Sequence, residues 1–457
     1  MAKTRIQYSC TACGAVSAKW AGQCPDCGAW NTLQEHREVA ATPRARGGGG
    51  QYAGDAGIRP LSEVGLAEET RRGTGIGELD RVLGGGLVEG GVVLLGGDPG
   101  IGKSTLLLQT TASLAREGEA LYVTGEESLR QVALRAARLG LAADNLQVLA
   151  ETSVESVLAA AMSRRPRVMV IDSIQTIFTE QLQSAPGSVA QVRESASLLV
   201  RHAKQSGTAL FLVGHVTKDG QLAGPRVLEH MVDTVLYFES DGGSRFRLLR
   251  AVKNRFGAAN ELGVFAMDDS GLKEVRNPSS IFLSRHEGDV SGSVILVTRE
   301  GSRPMLLELQ SLVAETPLSN PRRVAVGMDQ NRLSMLLAVL HRHGGIFTAD
   351  QDVFINVVGG VRVSETASDL PALLAVLSSL RDRPVPGDTV IFGEIGLAGE
   401  IRPVPGGEER LREAAKHGFR RALVPAKNAP RGRVAGLDDM DVVGVQRLAD
   451  AIDAAFG

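Results

Sequence analysis

The sequence of 457 residues lacks several features that would indicate other classes of protein. It has no uninterrupted apolar run of about 18 residues, the length that a membrane-spanning helix needs. The first residues lead into polar sequence with no apolar secretory core, so we expect a cytoplasmic protein with no membrane partner. A large excess of one charge is also missing. The net charge of -2 argues neither for nor against nucleic acid, because a binding surface would have to be a local patch.

Cysteine is absent after residue 27, which leaves no disulfides for most of the chain. The 4 cysteines form two C-x2-C pairs separated by ten residues: Cys10, Cys13, Cys24 and Cys27. Four thiolates at this spacing suit a closed, structural Zn²⁺ site, although the gap is shorter than the usual spacing of about 15 to 20 residues. A redox pair or a disulfide staple is the alternative, and a cytosolic location disfavours it. We expect a zinc-binding module over residues 1–34, with Trp20 and Trp30 in its small core and metal binding supplying folding energy.

The remaining chain divides by composition, since it is too long for one core. Residues 35–58 are polar and glycine-rich, which is typical of a flexible linker. A segment with strong apolar runs then extends over residues 59–276. After that, shorter apolar runs with turns indicate another domain over residues 277–457.

A nucleotide-binding P-loop is predicted between the apolar run 92–95 and the helical stretch 106–116, as its pattern G-x-x-x-x-G-K-[ST] requires. The residues expected to bind nucleotide are Gly97, Asp98, Pro99, Gly100, Ile101, Gly102, Lys103, Ser104 and Thr105. Lys103 would neutralise the β- and γ-phosphates, and the hydroxyl of Ser104 would ligate Mg²⁺. The alternative is a glycine-rich turn with a chance lysine. Bound ATP and Mg²⁺ are therefore expected.

Polar residues follow two further apolar runs, where open α/β sheets place their sites. Asp172 ends the run 168–171 in a Walker B pattern and would supply a carboxylate to Mg²⁺; the alternative is a cap on the next helix. Glu126 and Glu127 end another run. A carboxylate there can orient or deprotonate the water that attacks ATP, unless both merely favour the N-terminus of a helix that begins near Ser128.

Two sequence features carry a family resemblance. The segment TGIGELDRVLGGGL (residues 74–87) leads into GGDPGIGKST and resembles the core of RecA-type ATPases. With the four-cysteine module ahead of it, the chain resembles the RadA (Sms) family of bacterial DNA repair proteins. The resemblance implies an α/β fold with a mostly parallel sheet, helices on both faces and hexameric rings. The apolar runs 120–123, 168–171 and 209–213 alternate with helical stretches, in agreement with such a sheet.

The resemblance also implies site residues. Of the two glutamates, Glu126 would be the catalytic one. His215 lies where RecA-type ATPases keep a γ-phosphate sensor, although a histidine that is hydrogen-bonded within the core or caps a helix is the alternative. The loop 216–226 that follows, with Lys218 and Arg226, would line the central pore of a ring and contact single-stranded DNA. On its residues alone it is an exposed loop.

A basic segment between residues 244 and 257 carries five cations and no acid: Arg245, Arg247, Arg250, Lys253 and Arg255. Its end reads KNRFG, a motif of the RadA family: Lys253, Asn254, Arg255, Phe256 and Gly257. By resemblance, Lys253 and Arg255 would reach the nucleotide of a neighbouring subunit and stabilise charge on the γ-phosphoryl group. Contact with DNA phosphates, which we expect of Arg250, is the competing use. A solvated basic strand end is the remaining alternative.

The C-terminal segments 352–360, 393–404 and 422–425 resemble the proteolytic domain of Lon. A Lon-type peptidase needs a serine activated by a lysine. Here Ala367 stands at the nucleophile position with Ser368 one residue away, and Glu408 replaces the lysine. We expect an inactive α+β scaffold. Basic residues at 320–323, Arg332 and 341–343 suit either a DNA-binding surface or an ordinary solvated face.

These features together predict an ATP-driven motor of homologous recombination and DNA repair. The resemblance implies a homo-hexamer that branch-migrates recombination intermediates, with single-stranded and branched DNA and the recombinase RecA as partners. A KaiC-like regulatory ATPase would share the P-loop core, but would not predict the cysteine module or the Lon-like domain. An ATP-dependent Lon-type protease would share the C-terminal fold.

Overall fold

The structure is a computed structural model that describes most of the chain. The described residues are 5–17, 19–38, 70–142, 145–215, 227–240, 245–283, 288–316 and 320–457. Residues 39–58 of the predicted linker and the whole predicted DNA loop, with Lys218 and Arg226, lie outside them. The described residues form two compact units, and the second begins at Arg276. Each helix in the described ranges is too short or too polar to span a lipid bilayer.

The N-terminal module is a small antiparallel sheet. Strand β1 (Arg5–Cys10) pairs with β2 (Val16–Ser17) on one side and with β3 (Leu33–Glu38) on the other. Because β3 continues to Glu38, the first four residues of the predicted linker belong to this strand. The expected tryptophan core is wrong: Trp20 and Trp30 are 58% and 70% exposed. The buried cluster of this small module consists instead of Cys10, Cys24 and Leu33, with Tyr8 and Cys13 among the residues packed against it.

The first unit continues as a nine-stranded sheet. Its strands are β6 (Val92–Gly96), β7 (Ala120–Thr124), β8 (Leu146–Ala150), β9 (Val168–Asp172), β10 (Ala209–Val213), β11 (Thr234–Glu239), β12 (Phe246–Asn254), β13 (Leu262–Asp268) and β14 (Gly271–Glu274). Their order is β14-β13-β12-β11-β6-β10-β9-β7-β8. The six strands from β11 to β8 in this order run parallel, and β12 to β14 add an antiparallel edge. A separate two-stranded ribbon joins β4 (Arg71–Arg72) to β5 (Leu87–Val88).

Helices cover both faces of this sheet. They are α1 (Gly77–Leu83), α2 (Lys103–Leu114), α3 (Leu129–Arg138), α4 (Val154–Arg164), α5 (Val189–Ser206) and α6 (Val227–Met231). Successive side chains of a strand point to opposite faces. Accordingly, Val93 and Leu95 of β6 pack in one apolar cluster with α1 and α2, whereas Val92 and Leu94 pack in another with α4 and α5. The predicted α/β core with a mostly parallel sheet is confirmed.

The second unit combines a mixed sheet with helices, as the predicted α+β class requires. Its strands are β15 (Ser293–Glu300), β16 (Arg303–Glu315), β17 (Arg323–Val326), β18 (Gln351–Val357), β19 (Thr389–Ile391), β20 (Glu394–Ile395), β21 (Ile401–Arg402), β22 (Arg421–Pro425) and β23 (Asp441–Val445). Its helices are α7 (Ser279–Phe282), α8 (Gln330–Gly344), α9 (Asp369–Leu380), α10 (Gly407–Lys416) and α11 (Leu448–Phe456). The large sheet has the order β17-β18-β16-β15-β19-β22-β23, and β20 pairs with β21. Helix α9 is buried almost all round and forms the centre of the unit.

The turn before α9 contains Ala367 and Ser368, the two residues compared above with the nucleophile position of a Lon-type peptidase. Ala367 is buried there, and the hydroxyl of Ser368 donates a hydrogen bond to the carbonyl of Glu365 at 2.8 Å. The carboxylate of Glu408 is exposed and pairs with Arg412 at 2.5 Å. Ser368 and Glu408 are thus engaged in separate local interactions, and the absence of peptidase chemistry stays a prediction.

One cation of the predicted C-terminal basic surface, Arg332, is paired with a buried aspartate. The guanidinium of Arg332 forms a bidentate pair with Asp369, and its Nε lies 2.9 Å from Oδ1. Burial raises the pKa of Asp369, while this pairing opposes the rise. Arg332 therefore stabilises the start of α9, which weakens its assignment to a DNA-binding face.

Candidate nucleotide-binding site

The loop between β6 and α2 is closely packed at its two ends. Gly97 and Gly102 have φ angles of 149° and 120°, in the region that favours glycine. A Cβ at Gly97 would lie 2.9 Å from Cβ of Phe238, and one at Gly102 would lie 2.7 Å from Cε of Met267. Gly100, with φ of 77°, has no atom within 4 Å of such a Cβ. The positive φ angles therefore require glycine at both ends of the loop, and the loop is open at its tip, which fits a phosphate cradle.

Lys103 begins α2 and is buried against this loop. Its ammonium donates hydrogen bonds to the carbonyl oxygens of Gly97 at 2.6 Å and Asp98 at 2.8 Å. Burial lowers the pKa of Lys103, and the nearby carboxylates of Asp172, Asp98 and Glu126 oppose that effect. These carboxylates favour the charged form, so a cation is held beside the predicted phosphate site.

Asp172 is the last residue of β9 and is buried. Its Oδ2 accepts a hydrogen bond of 2.5 Å from the hydroxyl of Tyr122 on β7. The carboxylate of Asp172 and the hydroxyl of Ser104, in the first turn of α2, are the oxygen donors that Mg²⁺ prefers. These residue types fit the predicted magnesium site. Sequence reasoning missed Tyr122, although a tyrosine in an otherwise apolar buried strand indicates that its hydroxyl has a partner.

Glu126 lies just beyond β7 and joins three strand ends. The N–H of Gly125 donates to the carbonyl of Asp172 at 2.9 Å, which ties this turn to the end of β9. Glu126 Oε1 then accepts a hydrogen bond from the hydroxyl of Ser173 and lies 2.9 Å from Nε2 of His215. The hydrogen bond with His215 is the largest influence and lowers the pKa of Glu126 to about 2, although partial burial opposes it. Glu126 is therefore an ionised acceptor.

The two glutamates of this turn have different partners. Glu127 pairs with Arg135 of α3, and its N–H donates to Oγ1 of Thr124 at 2.9 Å. Ser128 and Gln131 form the capping box that begins α3. Glu127 is thus bound to the helix, whereas Glu126 meets His215. Within the structure, only Glu126 of this pair is hydrogen-bonded to a residue of the predicted site.

The KNRFG segment packs against the first unit's own backbone. The ammonium of Lys253 donates to the carbonyls of Glu229 at 2.6 Å and Val232 at 2.8 Å, at the end of α6. Burial, followed by the nearby charge of Arg255, lowers the pKa of Lys253. Asn254 Nδ2 donates to the carbonyl of Val82 at 3.2 Å. Within one subunit, Lys253 and Asn254 therefore join β12 to the ends of α6 and α1.

Arg255 and Gly257, in the second half of the KNRFG motif, make fewer side-chain contacts to the backbone than Lys253 and Asn254 do. The side chain of Arg255 is 59% exposed and forms a long ion pair of 3.5 Å with buried Asp233, whose carbonyl accepts a hydrogen bond from the N–H of Arg255 at 3.1 Å. Oδ2 of Asp233 also pairs with Nζ of Lys204 at 2.5 Å and accepts a hydrogen bond from the N–H of Val92 at 2.9 Å. The sequence did not predict these contacts. A Cβ at Gly257 would lie only 2.8 Å from Cα of Gly84, so glycine is required there. Lys253 and Arg255, the two cations predicted to reach the nucleotide of a neighbouring subunit, are called the finger cations below, and Arg255 is the more accessible of the two.

The basic strand β12 also contacts the P-loop. Arg247 Nε donates to the carbonyl of Ile101 at 3.2 Å, a contact that the sequence did not predict. Arg250, expected to contact DNA, lies 3.1 Å from a carboxylate oxygen of Glu239 on the neighbouring strand. Its role in DNA binding stays a prediction.

Removing either predicted finger cation is expected to lower ATP turnover. In Arg255→Ala the loss should approach that of an arginine finger, on the order of 10³-fold, because a charge that stabilises the transition state is removed. Lys253→Ala should also lower turnover, and it should loosen α6 because two backbone carbonyls lose their donor. Steady-state hydrolysis at saturating ATP and equilibrium binding of a fluorescent nucleotide measure the two effects separately.

Lys273→Ala is the matched control for this test. The side chain of Lys273 is 62% exposed and its ammonium pairs with Asp268 on β13, next to β14, so its loss should leave turnover unchanged. The finger assignment requires that nucleotide binding persists in Arg255→Ala while turnover falls. Unchanged turnover in both Arg255→Ala and Lys253→Ala would contradict it.

The four cysteine sulfurs form a compact cluster. All four Sγ atoms lie within 4.8 Å of one another. Cys10 and Cys27 are separated by 3.7 Å between sulfurs, and Cys13 and Cys24 by 3.6 Å. A tetrahedral zinc site with bonds of about 2.3 Å has sulfur–sulfur edges of about 3.8 Å. The four thiol groups therefore have the arrangement of a closed zinc site.

Three family profiles match parts of the chain. A profile described as an AAA domain matches residues 64–221, which include the P-loop, Glu126 and Asp172. One described as a rubredoxin metal binding domain matches residues 8–35, which include all four cysteines. A third, described as subunit ChlI of Mg-chelatase, matches residues 326–428 of the second unit.

Several relatives match along their whole length. The DNA repair protein RadA of Pseudomonas aeruginosa is 66% identical over 456 residues, which cover 100% of both chains. The proteins of that name from Escherichia coli and Bacillus subtilis are 58% identical over 449 residues and 46% identical over 465 residues. These matches cover 97% of both chains and 100% of both chains, respectively.

Among solved structures, the KaiC-like protein PH0186 of Pyrococcus horikoshii OT3 is similar over 45% of this chain and 99% of that chain. The two are 22% identical, with a TM-score of 0.39. A similarity of this size carries no argument about activity.

Proposed function

The chain belongs to the family of DNA repair protein RadA, and on that premise we propose that it is a DNA-stimulated ATPase that works as a motor on single-stranded and branched DNA. Membership assigns it to the DNA repair ATPases. The finer proposal is that hydrolysis drives branch migration of intermediates in homologous recombination. A homo-hexamer and the recombinase RecA are the proposed assembly and partner.

One observation supports the hydrolytic part most directly: three charged residues from different elements converge beside the P-loop. The charges of Asp172 and Glu126 both act on the ammonium of Lys103. We assign Lys103 to neutralising the phosphates of ATP, and Asp172 with Ser104 to holding Mg²⁺, which would supply charge neutralisation at the phosphates. Glu126 is ionised and is assigned to orienting and deprotonating the attacking water.

His215 offers a physical link from the nucleotide to DNA. Its Nε2 is hydrogen-bonded to the carboxylate of Glu126, while its Nδ1 is buried with no hydrogen-bond partner among the described residues. His215 directly precedes the loop 216–226, which we propose contacts DNA through Lys218 and Arg226. A movement of that loop would shift His215 and thereby change the hydrogen bonding of the proposed catalytic carboxylate.

The remaining parts of the chain are assigned supporting roles. The four cysteines are proposed to hold Zn²⁺ and so to stabilise the N-terminal module. Lys253 and Arg255 are proposed to complete the site of a neighbouring subunit, which would make hydrolysis depend on assembly. The C-terminal unit is proposed to be a scaffold without peptidase activity, since Ser368 and Glu408 are held in separate interactions.

The test is steady-state ATP hydrolysis with and without single-stranded DNA. We expect DNA to raise turnover in the native sequence and Lys103→Ala to show neither basal nor stimulated hydrolysis, because the proposed phosphate-binding cation is missing. Low salt is the stringent condition, since phosphate contacts are strongest there. Hydrolysis that is abolished in Lys103→Ala yet indifferent to DNA would replace the motor with a KaiC-like regulatory switch.

A further inference from the structure

We propose that Tyr122 is a positioning residue for the magnesium ligand Asp172: its hydroxyl holds one carboxylate oxygen and leaves the other for the metal. The inference rests on the proposed function, because that function assigns Asp172 to Mg²⁺. It adds a residue that belongs neither to the P-loop nor to the Walker B strand.

Adjacent strands bring the two side chains together. Strands β7 and β9 are parallel neighbours, with Tyr122 opposite Val170 and Thr124 opposite Asp172. The phenol of Tyr122 therefore reaches along the sheet from two residues further back. Its hydroxyl lies 2.5 Å from Oδ2 of Asp172. Tyr122 is only 1% exposed, so this contact is shielded from water.

The chemistry of the pair allows only one direction of donation. A carboxylate is an acceptor, so the phenol must be the donor. The terminal torsion of an aspartate is intrinsically broad and roughly two-fold. A buried donor on Oδ2 restricts this torsion and distinguishes the two oxygens.

A purely structural role for Tyr122 makes a different prediction. Its ring packs in the apolar cluster that also contains residues of α1 and α2. If only the ring mattered, Phe at this position would preserve the packing and leave metal binding unchanged. If the hydroxyl positions Asp172, the same substitution should weaken metal binding by about 10- to 100-fold, the usual effect of removing a partner of a metal ligand.

The experiment measures metal binding without turnover in the full-length protein. Mn²⁺ is titrated in the presence of a saturating non-hydrolysable ATP analogue, and free Mn²⁺ is followed by electron paramagnetic resonance. The variants are Y122F, D172N and the double variant. Y237F is the matched control, because it also removes a tyrosine hydroxyl bonded to a carboxylate, that of Glu229 at 3.1 Å.

We expect Y122F and D172N each to weaken Mn²⁺ binding, Y237F to leave it unchanged, and Y122F to add nothing in the D172N background. Thermal unfolding without nucleotide checks that Y122F, which keeps the ring, remains folded. Weak binding in D172N with native binding in Y122F would overturn the role of Tyr122. Equal losses from Y122F with and without Asp172 would overturn it too, since the effect would not pass through that carboxylate. Native binding in D172N would instead refute the metal assignment in the proposed function.

Discussion

Glu126→Gln is expected to lower ATP turnover by about 10²- to 10⁴-fold, the usual contribution of a general base. Gln retains the size and the hydrogen-bonding oxygen of Glu, so nucleotide binding should persist. The carboxylate accepts from Ser173 and His215 at the ends of β9 and β10, and a neutral amide offers these donors a weaker acceptor. The expected loss is therefore in turnover and not in affinity. Single-turnover hydrolysis and equilibrium nucleotide binding measure the two quantities.

Glu127→Gln is the matched control, since Glu127 is adjacent in sequence but pairs with Arg135. Its loss should change stability slightly and turnover little. If Glu127→Gln abolishes hydrolysis while Glu126→Gln remains active, the assignment of the two glutamates is reversed. If neither lowers turnover, the base lies outside this turn.

The pKa of Glu126 also determines the expected pH dependence. Its pKa is lowered from 4.5 to about 2, chiefly by the hydrogen bond with His215, so the carboxylate stays ionised as the pH falls through its ordinary range. The native-state stabilisation from this group is fully present above the ordinary pKa, declines progressively as the pH falls below it, and is lost once the pH has passed through the lowered pKa. Turnover should therefore show no acid limb near pH 4.5 due to Glu126. Such a limb would indicate that the bond with His215 is absent in the working enzyme.

Arg410→Met is expected to destabilise the C-terminal unit by about 3 to 5 kcal/mol, the cost of removing one partner of a buried ion pair. Arg410 is only 1% exposed and binds both carboxylate oxygens of Glu365, at 2.8 Å and 2.6 Å. It also donates to the carbonyls of Val297 at 2.6 Å and Pro405 at 3.0 Å. Methionine fills part of the space but leaves these acceptors without their donor.

Urea unfolding of the full chain, monitored by hydrogen exchange of the amides in β15 and α10, measures this loss of stability. Arg412→Met is the matched control, because Arg412 pairs with Glu408 on the exposed side of α10 and such a pair contributes about 0 to 1 kcal/mol. Adding Glu365→Gln to Arg410→Met should recover part of the stability, since no unpaired charge then remains. Equal losses from the two arginine variants would show that Arg410 is not a buried anchor.

This ion pair joins the two segments in which a Lon-type peptidase would have its serine and its lysine. Glu365 begins the turn that contains Ala367 and Ser368, and Arg410 follows two residues after Glu408. Glu365 also accepts from the hydroxyl of Thr298 at 2.8 Å and the N–H of Arg299 at 2.7 Å. Besides its bonds to Arg410, Glu365 thus accepts hydrogen bonds from β15, which stabilise the segment that contains Ala367 and Ser368.

Local patterns allowed several parts of the molecule to be predicted from the sequence. The P-loop and the cysteine pairs are spacings within short segments, and their chemistry depends on residue type and separation along the chain. The parallel core was predictable because strands buried on both faces read as continuous apolar runs, as in β6 and β9. Asp172 could be proposed for the same reason, since it ends such a run.

Contacts between distant segments could not be predicted in this way. The bond from Tyr122 to Asp172 depends on the order and register of β7 and β9, which no single segment encodes. The bonds of Lys253 to the end of α6 likewise depend on how β12 lies in the sheet.

The sequence by itself therefore determined the chemical inventory of this protein: a nucleotide-binding loop, a four-thiol cluster and carboxylates at strand ends. Only the tertiary structure decided which groups meet. It joined Glu126 to His215 and Arg410 to Glu365, and it exposed Trp20 and Trp30. The physical reason is that residue type sets what a side chain can donate, accept or bury, whereas its partner is set by strand order and by packing of segments far apart along the chain.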